Sequence, residues 1–366
     1  MGGYILRRLL LMIPTIIGIM GISFAVVQFA PGGPVEQVIA DLTGQGNSAD
    51  QRLNGGGGDL TAQQDVSAAE INSKYRGAQG LDPELIAKLE KQFGFDKPPL
   101  TRFLDMMGNY IRFDFGESFF TNTTVIDLIL QKMPVSISLG VWILLLSYLI
   151  SIPLGIAKAV RDGSAFDLWT SGVIIIGYAV PGFLFAILLV VVFAGGSFLD
   201  WFPLRGLVSD NFAELSWWQK ILDYFWHLTL PLISLSLAAF ATTTLLTKNS
   251  FIDEIKKQYV TTARAKGLTE RQVLYGHVFR NAMLIVIAGF PGAFISAFFT
   301  GSLLIEYIFS LDGLGRLGYI SVVKRDYPIV FATLYIFSLM GLIVGLISDL
   351  MYTWVDPRID FDKRDV

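Results

Sequence analysis

The side chains that most often do chemistry are scarce in this chain. It holds two histidines, His227 and His277, and no cysteine. Thiolate catalysis, disulfides, iron–sulfur clusters and cysteine zinc sites are therefore excluded, and so is a multi-histidine metal site. No Gly-Lys pair occurs anywhere, so the phosphate-cradling pattern G-x-x-x-x-G-K-[ST] cannot form. No catalytic, cofactor-binding or metal site is expected. If the chain moves a solute uphill, the energy comes from a partner.

The densest pattern of charge and small residues lies at 248–281, KNSFIDEIKKQYVTTARAKGLTERQVLYGHVFRN. Phe251–Lys266 reads as one helix that carries Lys256, Lys257, Arg264 and Lys266. Gly267 falls where a left-handed residue closes a helix. Leu268 is then placed to fold back on the turn containing Ala263. Thr269-Glu270-Arg271-Gln272 matches a capping box. The second helix runs on through His277, Arg280 and Asn281 into an apolar stretch. A helix–glycine–helix corner has the form of a docking element. The same residues also fit a basic amphipathic segment resting on anionic lipid.

The elements that hold this corner follow from the spacing of charge. Charged residues make up 16% of the 366 residues and hydrophobic ones 53%, with mean hydropathy +0.55. Ordinary soluble domains carry roughly 25% charge. A disordered chain and an ordinary cytosolic enzyme are excluded. With 28 basic against 31 acidic residues and a net charge of −3, so is a nucleic-acid binder held by bulk charge. Six windows contain no Asp, Glu, Lys or Arg: Leu9–Val35, Met133–Ala157, Leu168–Leu199, Tyr224–Thr247, Asn281–Ile305 and Tyr327–Ser348. Each exceeds the ~20 residues a helix needs to cross the hydrocarbon, so six transmembrane helices are expected. The third window is long enough to include a loop. The first is too long for a signal-peptide core and reads as a retained anchor.

Lys and Arg set the orientation. If the N-terminus is cytoplasmic, the inside segments 1–8, 158–167, 248–280 and 349–366 hold half of the 28 basic residues on short lengths of chain. The outside segment 31–132 is net acidic. Both termini are then cytoplasmic. The chain divides into 1–30, a cytoplasmic N-terminus and first span; 31–132, a periplasmic insertion; and 133–366, a five-helix core with the cytoplasmic segment 248–281.

Within the insertion, 44–80 is rich in Gly, Asn, Gln and Ser and includes Gly55–Gly58, so it reads as a flexible excursion. Residues 82–132 read as folded. Asp82-Pro83-Glu84 opens a helix with the stripe Leu85, Ile86, Leu89, Phe93, ended by Gly94. After Pro98-Pro99 a second stripe follows: Phe103, Leu104, Met107, Tyr110, Ile111. In the loop 200–223, Trp201, Trp217 and Trp218 suit the membrane interface, with short helices lying in it. His227, beside Trp226 at a helix start, reads as an interface residue. No ionisable group falls at the middle of a window, which argues against proton-coupled carriers and voltage sensors. Pro153, Pro181 and Pro291 lie inside windows and are candidate kinks.

The run Tyr259-Val-Thr-Thr-Ala-Arg-Ala-Lys-Gly267, followed after nine residues by His277-Val-Phe-Arg280-Asn281-Ala282, resembles the EAA loop of ABC-importer permeases, in particular the dipeptide and oligopeptide branch. Further runs are similar to that branch: Tyr4-Ile-Leu-Arg-Arg-Leu-Leu, Phe93-Gly-Phe-Asp-Lys-Pro98, Phe113-Asp-Phe-Gly-Glu-Ser118, Gly313-Leu-Gly-Arg316, Arg325-Asp-Tyr-Pro328 and Asp356-Pro-Arg358. The resemblance implies an all-α, type I importer-like permease of the bacterial inner membrane. It implies an ATPase-coupling loop at Tyr259, Thr261, Thr262, Ala263, Arg264, Ala265, Lys266, Gly267, Leu268, His277, Arg280 and Asn281. The pattern's Glu-Ala-Ala is Thr261-Thr262-Ala263 here, so its acidic residue is missing. Implied partners are a second, similar permease, two ATPase domains that bind ATP and magnesium, a periplasmic peptide-binding protein and a peptide substrate, with no nucleic acid. Importers linked to antimicrobial peptides such as microcin C belong to the resembled branch. The alternative is a membrane channel or sensor without an ATPase.

Overall fold

The computed structural model describes residues 2–29, 96–121, 123–195, 198–299 and 303–355. Among the described residues the fold is all-α, and the only pairing of extended backbone is a bridge between Glu117 and Thr124. Five helices are long and apolar enough to span a membrane: Gly2–Gln28, Val125–Val160, Trp217–Ile255, Glu270–Phe294 and Tyr327–Met351. A sixth span forms when Ala165–Ala179 and Gly182–Phe193, bent by 94°, are taken as one. The six charge-free windows fall on these six spans. In chain order the elements needed below are α1 (Gly2–Phe29), α2 (Pro99–Ile111), α3 (Val125–Val160), α4 (Ala165–Ala179), α5 (Gly182–Phe193), α6 (Trp217–Ile255), α7 (Gln258–Ala265), α8 (Glu270–Val273), α9 (Phe279–Phe299), α10 (Leu303–Ile308), α11 (Leu314–Lys324) and α12 (Tyr327–Val355).

The third window resolves into the bent pair α4–α5, and Pro181 is the reason. Proline has no N–H to donate and disfavours the helical region for the residue before it. Val180 is accordingly extended, and Pro181 becomes the N-cap of α5. Pro153 and Pro291, by contrast, lie inside continuous helices.

The chain forms two compact units. One comprises Ile13–Ile129 and Gly318–Ser338. Its packing is aromatic: Phe24 meets Phe103 and Phe331 at 5.4 and 6.0 Å, and Tyr110 stands edge-on to Phe115 and Tyr335 at 4.9 and 5.4 Å. The second apolar stripe of the sequence is α2, begun by Pro99 as expected of proline at a helix start. Residues 44–80 and the helix expected from Asp82 lie outside the described residues. Asp326 is buried; it accepts hydrogen bonds from the Ser118 hydroxyl at 2.6 Å and the Phe119 N–H at 3.1 Å, and burial pushes its carboxyl up.

The other unit comprises Met1–Met12, Leu130–Leu317 and Leu339–Val366. Tyr4 and Arg8 of α1 both reach Asp349 of α12, at 2.7 Å each. One apolar core gathers Leu139 and Ile143 of α3, Leu228 and Leu232 of α6, and Phe309 and Leu311. Beside it Glu306, fully buried, accepts the Ser136 hydroxyl at 2.9 Å and the Arg316 N–H at 2.8 Å. A Cβ at Gly313 would stand 2.5 Å from the Glu306 carboxyl carbon, and one at Gly315 2.9 Å from the Leu303 backbone. The Gly313-Leu-Gly-Arg316 run therefore exists to let backbone close over a buried carboxylate. A second core lies about 20 Å further along α3, at Ile156 and Ala159. It positions the corner described next.

Two sequence expectations need correction here. His227 is not at a helix start: α6 begins ten residues earlier, at Trp217, after Ser216 and Gln219 form a capping box. His227 is buried, with Nδ1 2.8 Å from the Asp223 carbonyl oxygen. The loop before α6 holds one 3₁₀ turn, Phe212–Glu214, while Trp201, Trp217 and Trp218 stand exposed, the last two stacked at 4.3 Å.

Candidate functional site

The basic segment after α6 is two helices where the sequence reads as one. α6 ends at Ile255, Lys257 is extended, and α7 starts at Gln258. The reason is tertiary. Phe251 and Val260 are nine residues apart, which on a straight helix at about 100° per residue places them on opposite faces. Both are fully buried in the same core, so the backbone must turn between them. Glu254 pins the turn. Its carboxylate receives Lys257 and, at 2.7 Å, the Tyr259 hydroxyl. Burial pushes the Tyr259 phenol up, and the Asn281 side chain is a further hydrogen-bond partner.

α7 closes as its sequence reads. Gly267 has φ +85°, the left-handed conformation that glycine adopts without strain. Its N–H donates to the Arg264 carbonyl at 2.9 Å, and the Leu268 N–H reaches back to the Ala263 carbonyl at 3.4 Å. These are the two bonds of a Schellman closure. Leu268 follows them onto the apolar core. Thr269 then caps α8 reciprocally with Gln272. Arg264 and Glu270 join the two sides of the corner by two hydrogen bonds of 2.8 and 3.0 Å.

The helix after the corner is not regular throughout. Leu274–Val278 is a π-helical turn, and the α-helical pattern resumes at Phe279. Such turns hold one extra residue and are frequent at functional sites. Here the turn lets Val273 and Val278, five residues apart, both bury in the core while Tyr275 and His277 stay exposed.

The resulting arrangement has a buried underside and an open outer face. Ala263 is buried with Val260, Val273 and Val278 against Ile156, Ala159 and Phe251, so the corner rests on the ends of α3, α6 and α9. Thr261, Thr262, Arg264, Ala265, Lys266 and Gly267 are exposed, as are His277, Arg280 and Asn281. Tyr259 and Leu268 are half-buried. A 320 Å³ cavity opens beside the corner, lined among others by Val160, Ile255, Arg264, Leu274 and Tyr275. Thr261, where the acidic residue is missing, is exposed, and its neighbour Thr262 bonds its own helix at the Gln258 carbonyl. Groups of three or more metal-ligating side chains are absent among the described residues. The arrangement is a small, polar, positively charged surface on a stiff base. It can dock a partner and transmit a push.

A family model described as binding-protein-dependent transport system inner membrane component matches residues 151–361, a stretch that contains the whole corner. The chain belongs to this family. It is a multi-pass inner membrane permease of the ABC-transporter kind with the all-α, type I importer-like fold. Among curated relatives, the peptidoglycan transport system permease protein YejB of Agrobacterium fabrum is 82% identical over all of both chains. The inner membrane ABC transporter permease protein YejB of Escherichia coli O157:H7 is 58% identical, again over all of both. The oligopeptide transport system permease protein AppB of Bacillus subtilis is 32% identical over 99% of this chain and all of its own.

Sequence reasoning missed two features of this permease. One is the break at Lys256–Lys257. The other is a buried ionic cluster at the ends of α3, α4 and α6, whose members sit on separate elements and are joined only by the fold.

Proposed function

We propose that this permease is one half of the membrane channel of an ATP-driven importer that moves peptides from periplasm to cytoplasm. Its partners are a second, similar permease, two ATPase domains and a periplasmic peptide-binding protein. ATP and magnesium bind on the ATPases, not on this chain. The coupling loop of Tyr259 and Thr261 to Leu268, with His277, Arg280 and Asn281, docks into the ATPase through its exposed residues. Transport is by alternating access: ATPase closure moves the corner as a rigid body, and the helices it rests on open the path on one side at a time. The observation that carries this proposal is the corner itself, an exposed basic surface built on the buried ends of three spans.

Peptides are favoured by the naming of the Bacillus relative as an oligopeptide permease. The naming of the 82% identical relative as a peptidoglycan transport permease favours a narrower reading, in which peptides released from peptidoglycan are the natural cargo. Antimicrobial peptides of the microcin C kind would then enter by the same path. The charge-free middles of the spans suit a cargo of varied side chains. Purification from the native membrane should bring down an ATPase with this chain. The chain alone should hydrolyse no ATP above background. A pure single-chain preparation with robust turnover would overturn the partner assignment.

The distribution of Lys and Arg supports a cytoplasmic side for both termini and a periplasmic one for 31–132. Cysteines introduced at Ser48 and Ser164 should therefore react from opposite sides of the membrane, Ser48 from the periplasm. Labelling of both from one side would reject that orientation.

A further inference from the structure

Beyond the docking surface, four charged side chains converge near the end of α3. Lys158 of α3 is fully buried, and its ammonium is held by α4 alone. It donates to the Asp167 carboxylate at 3.0 Å, the Asp167 carbonyl at 2.9 Å, Thr170 at 2.7 Å and Ser171 at 2.8 Å. Lys248 of α6 approaches the other oxygen of Asp167 at 2.7 Å, and Asp162 in the α3–α4 turn at 3.0 Å. The Gly163 N–H adds a bond to Asp167 at 3.2 Å. Asp167 is thus a nearly buried carboxylate between one cation from α3 and one from α6. Because a buried ion is expensive to leave unpaired, separating any of these three helices exposes the others to that penalty.

The same helix ends carry the corner. Ile156 and Ala159 flank Lys158 on α3, and Phe251 follows Lys248 by three residues on α6; all three belong to the core under α7 and α8. α3 and α6 also touch backbone to backbone there. A Cβ at Gly155 would lie 2.7 Å from the Thr247 Cβ and 2.8 Å from the Thr244 carbonyl. The ends of α3 and α6 are therefore packed into one block with the corner. α4 joins that block through Asp167.

We propose that Asp167 is a positioning residue for transport: it ties the first half of the bent third span to the block that carries the coupling corner. The inference rests on the importer proposal above. A push on the corner then displaces α4, and through the bend at Val180–Pro181 it displaces α5. Without the tie, α4 keeps its hydrogen bonds to Lys158 and its packing along α6 but loses the ionic link to the block, and hydrolysis proceeds with less cargo moved.

The test uses the assembled complex in proteoliposomes, reading cargo moved per ATP hydrolysed. Asp167→Asn takes the shared carboxylate from both ammonium groups, leaving buried Lys158 only neutral acceptors and Lys248 only Asp162, and is the harsher variant. Lys248→Met is the cleaner one, because it removes the α6 arm and leaves Lys158 paired with Asp167. Lys248→Met should assemble with normal stoichiometry, while cargo per ATP falls by about fivefold. Lys248→Arg, which restores the cation, should recover most of it. Two results would each overturn the proposal: unchanged cargo per ATP in Lys248→Met, whether both rates are intact or fall in proportion, or loss of the assembled complex in that variant. A proportional fall or a lost complex would make the cluster a structural brace only. A wild-type complex that shows no ATP-driven uptake would reject the importer proposal itself, before any variant is compared.

Discussion

Gly267→Val should insert normally, keep its spans, and lose most peptide uptake together with its hold on the ATPase. A Cβ at Gly267 meets nothing within 4 Å, so the cost is not a clash. It is the backbone: φ +85° is left-handed, and an L-residue pays roughly 1–2 kcal/mol there, with β-branched valine the worse case. That sum is far too small to unfold a membrane bundle. It is enough to open the Schellman bonds, since relaxing φ pulls the Gly267 and Leu268 N–H groups off their carbonyls. The Arg264–Glu270 hydrogen bonds span that same residue and would break with it. Gly267→Ala should show the same defect more weakly. Uptake and ATPase co-purification, measured side by side, check this. If the segment instead rested on lipid, both glycine variants would behave as wild type, and removing Lys256 and Lys257 together would do the damage.

Phe251→Ala attacks the base in place of the hinge, and its expected effect is larger. Phe251 is fully buried among Val260, Ala263, Val273 and Val278. Truncating a buried phenylalanine typically costs about 3–5 kcal/mol, from lost burial and the cavity left behind. The loss is local to the corner, because the other core, around Leu139 and Leu228, does not contain Phe251. α7 and α8 should loosen while the spans persist. In inside-out vesicles, trypsin should cut at Lys257, Arg264 and Lys266 much faster than in wild type, and the ATPase should dissociate. Arg264→Ala, which removes an exposed ion pair and its own cut site, should change the cleavage rate at Lys257 and Lys266 little. A Phe251→Ala corner as protease-resistant as wild type would mean that the corner is held by something other than this core.

What the sequence disclosed and what it hid divide along a physical line. Gly267, Leu268 and the Thr269–Gln272 capping box could be read directly, because each acts within five residues of itself along the chain. The spans could be read because lipid punishes charge wherever it falls. The bend at Pro181 was a candidate for the same local reason, yet Pro153 and Pro291 carry the same chemistry inside continuous helices, and only packing separates the cases. The break at Lys256–Lys257 was hidden, since helix-forming residues run straight through it. It exists because Phe251 and Val260 must share one core. The π-helical turn answers a similar demand from Val273 and Val278. Lys158, Asp167 and Lys248 each border a charge-free window and looked like ordinary ends of spans. Their burial together is a property of three helices meeting, which spacing along one chain cannot show.

Reconstitution of the complete complex in proteoliposomes, with binding protein and peptide outside and ATP inside, tests the central claim most directly. Peptide should accumulate against its gradient only when ATP, magnesium and the binding protein are all present, and hydrolysis should rise when the binding protein is loaded. Equal peptide flux with and without ATP, running only down the gradient, would show a passive channel and contradict the account.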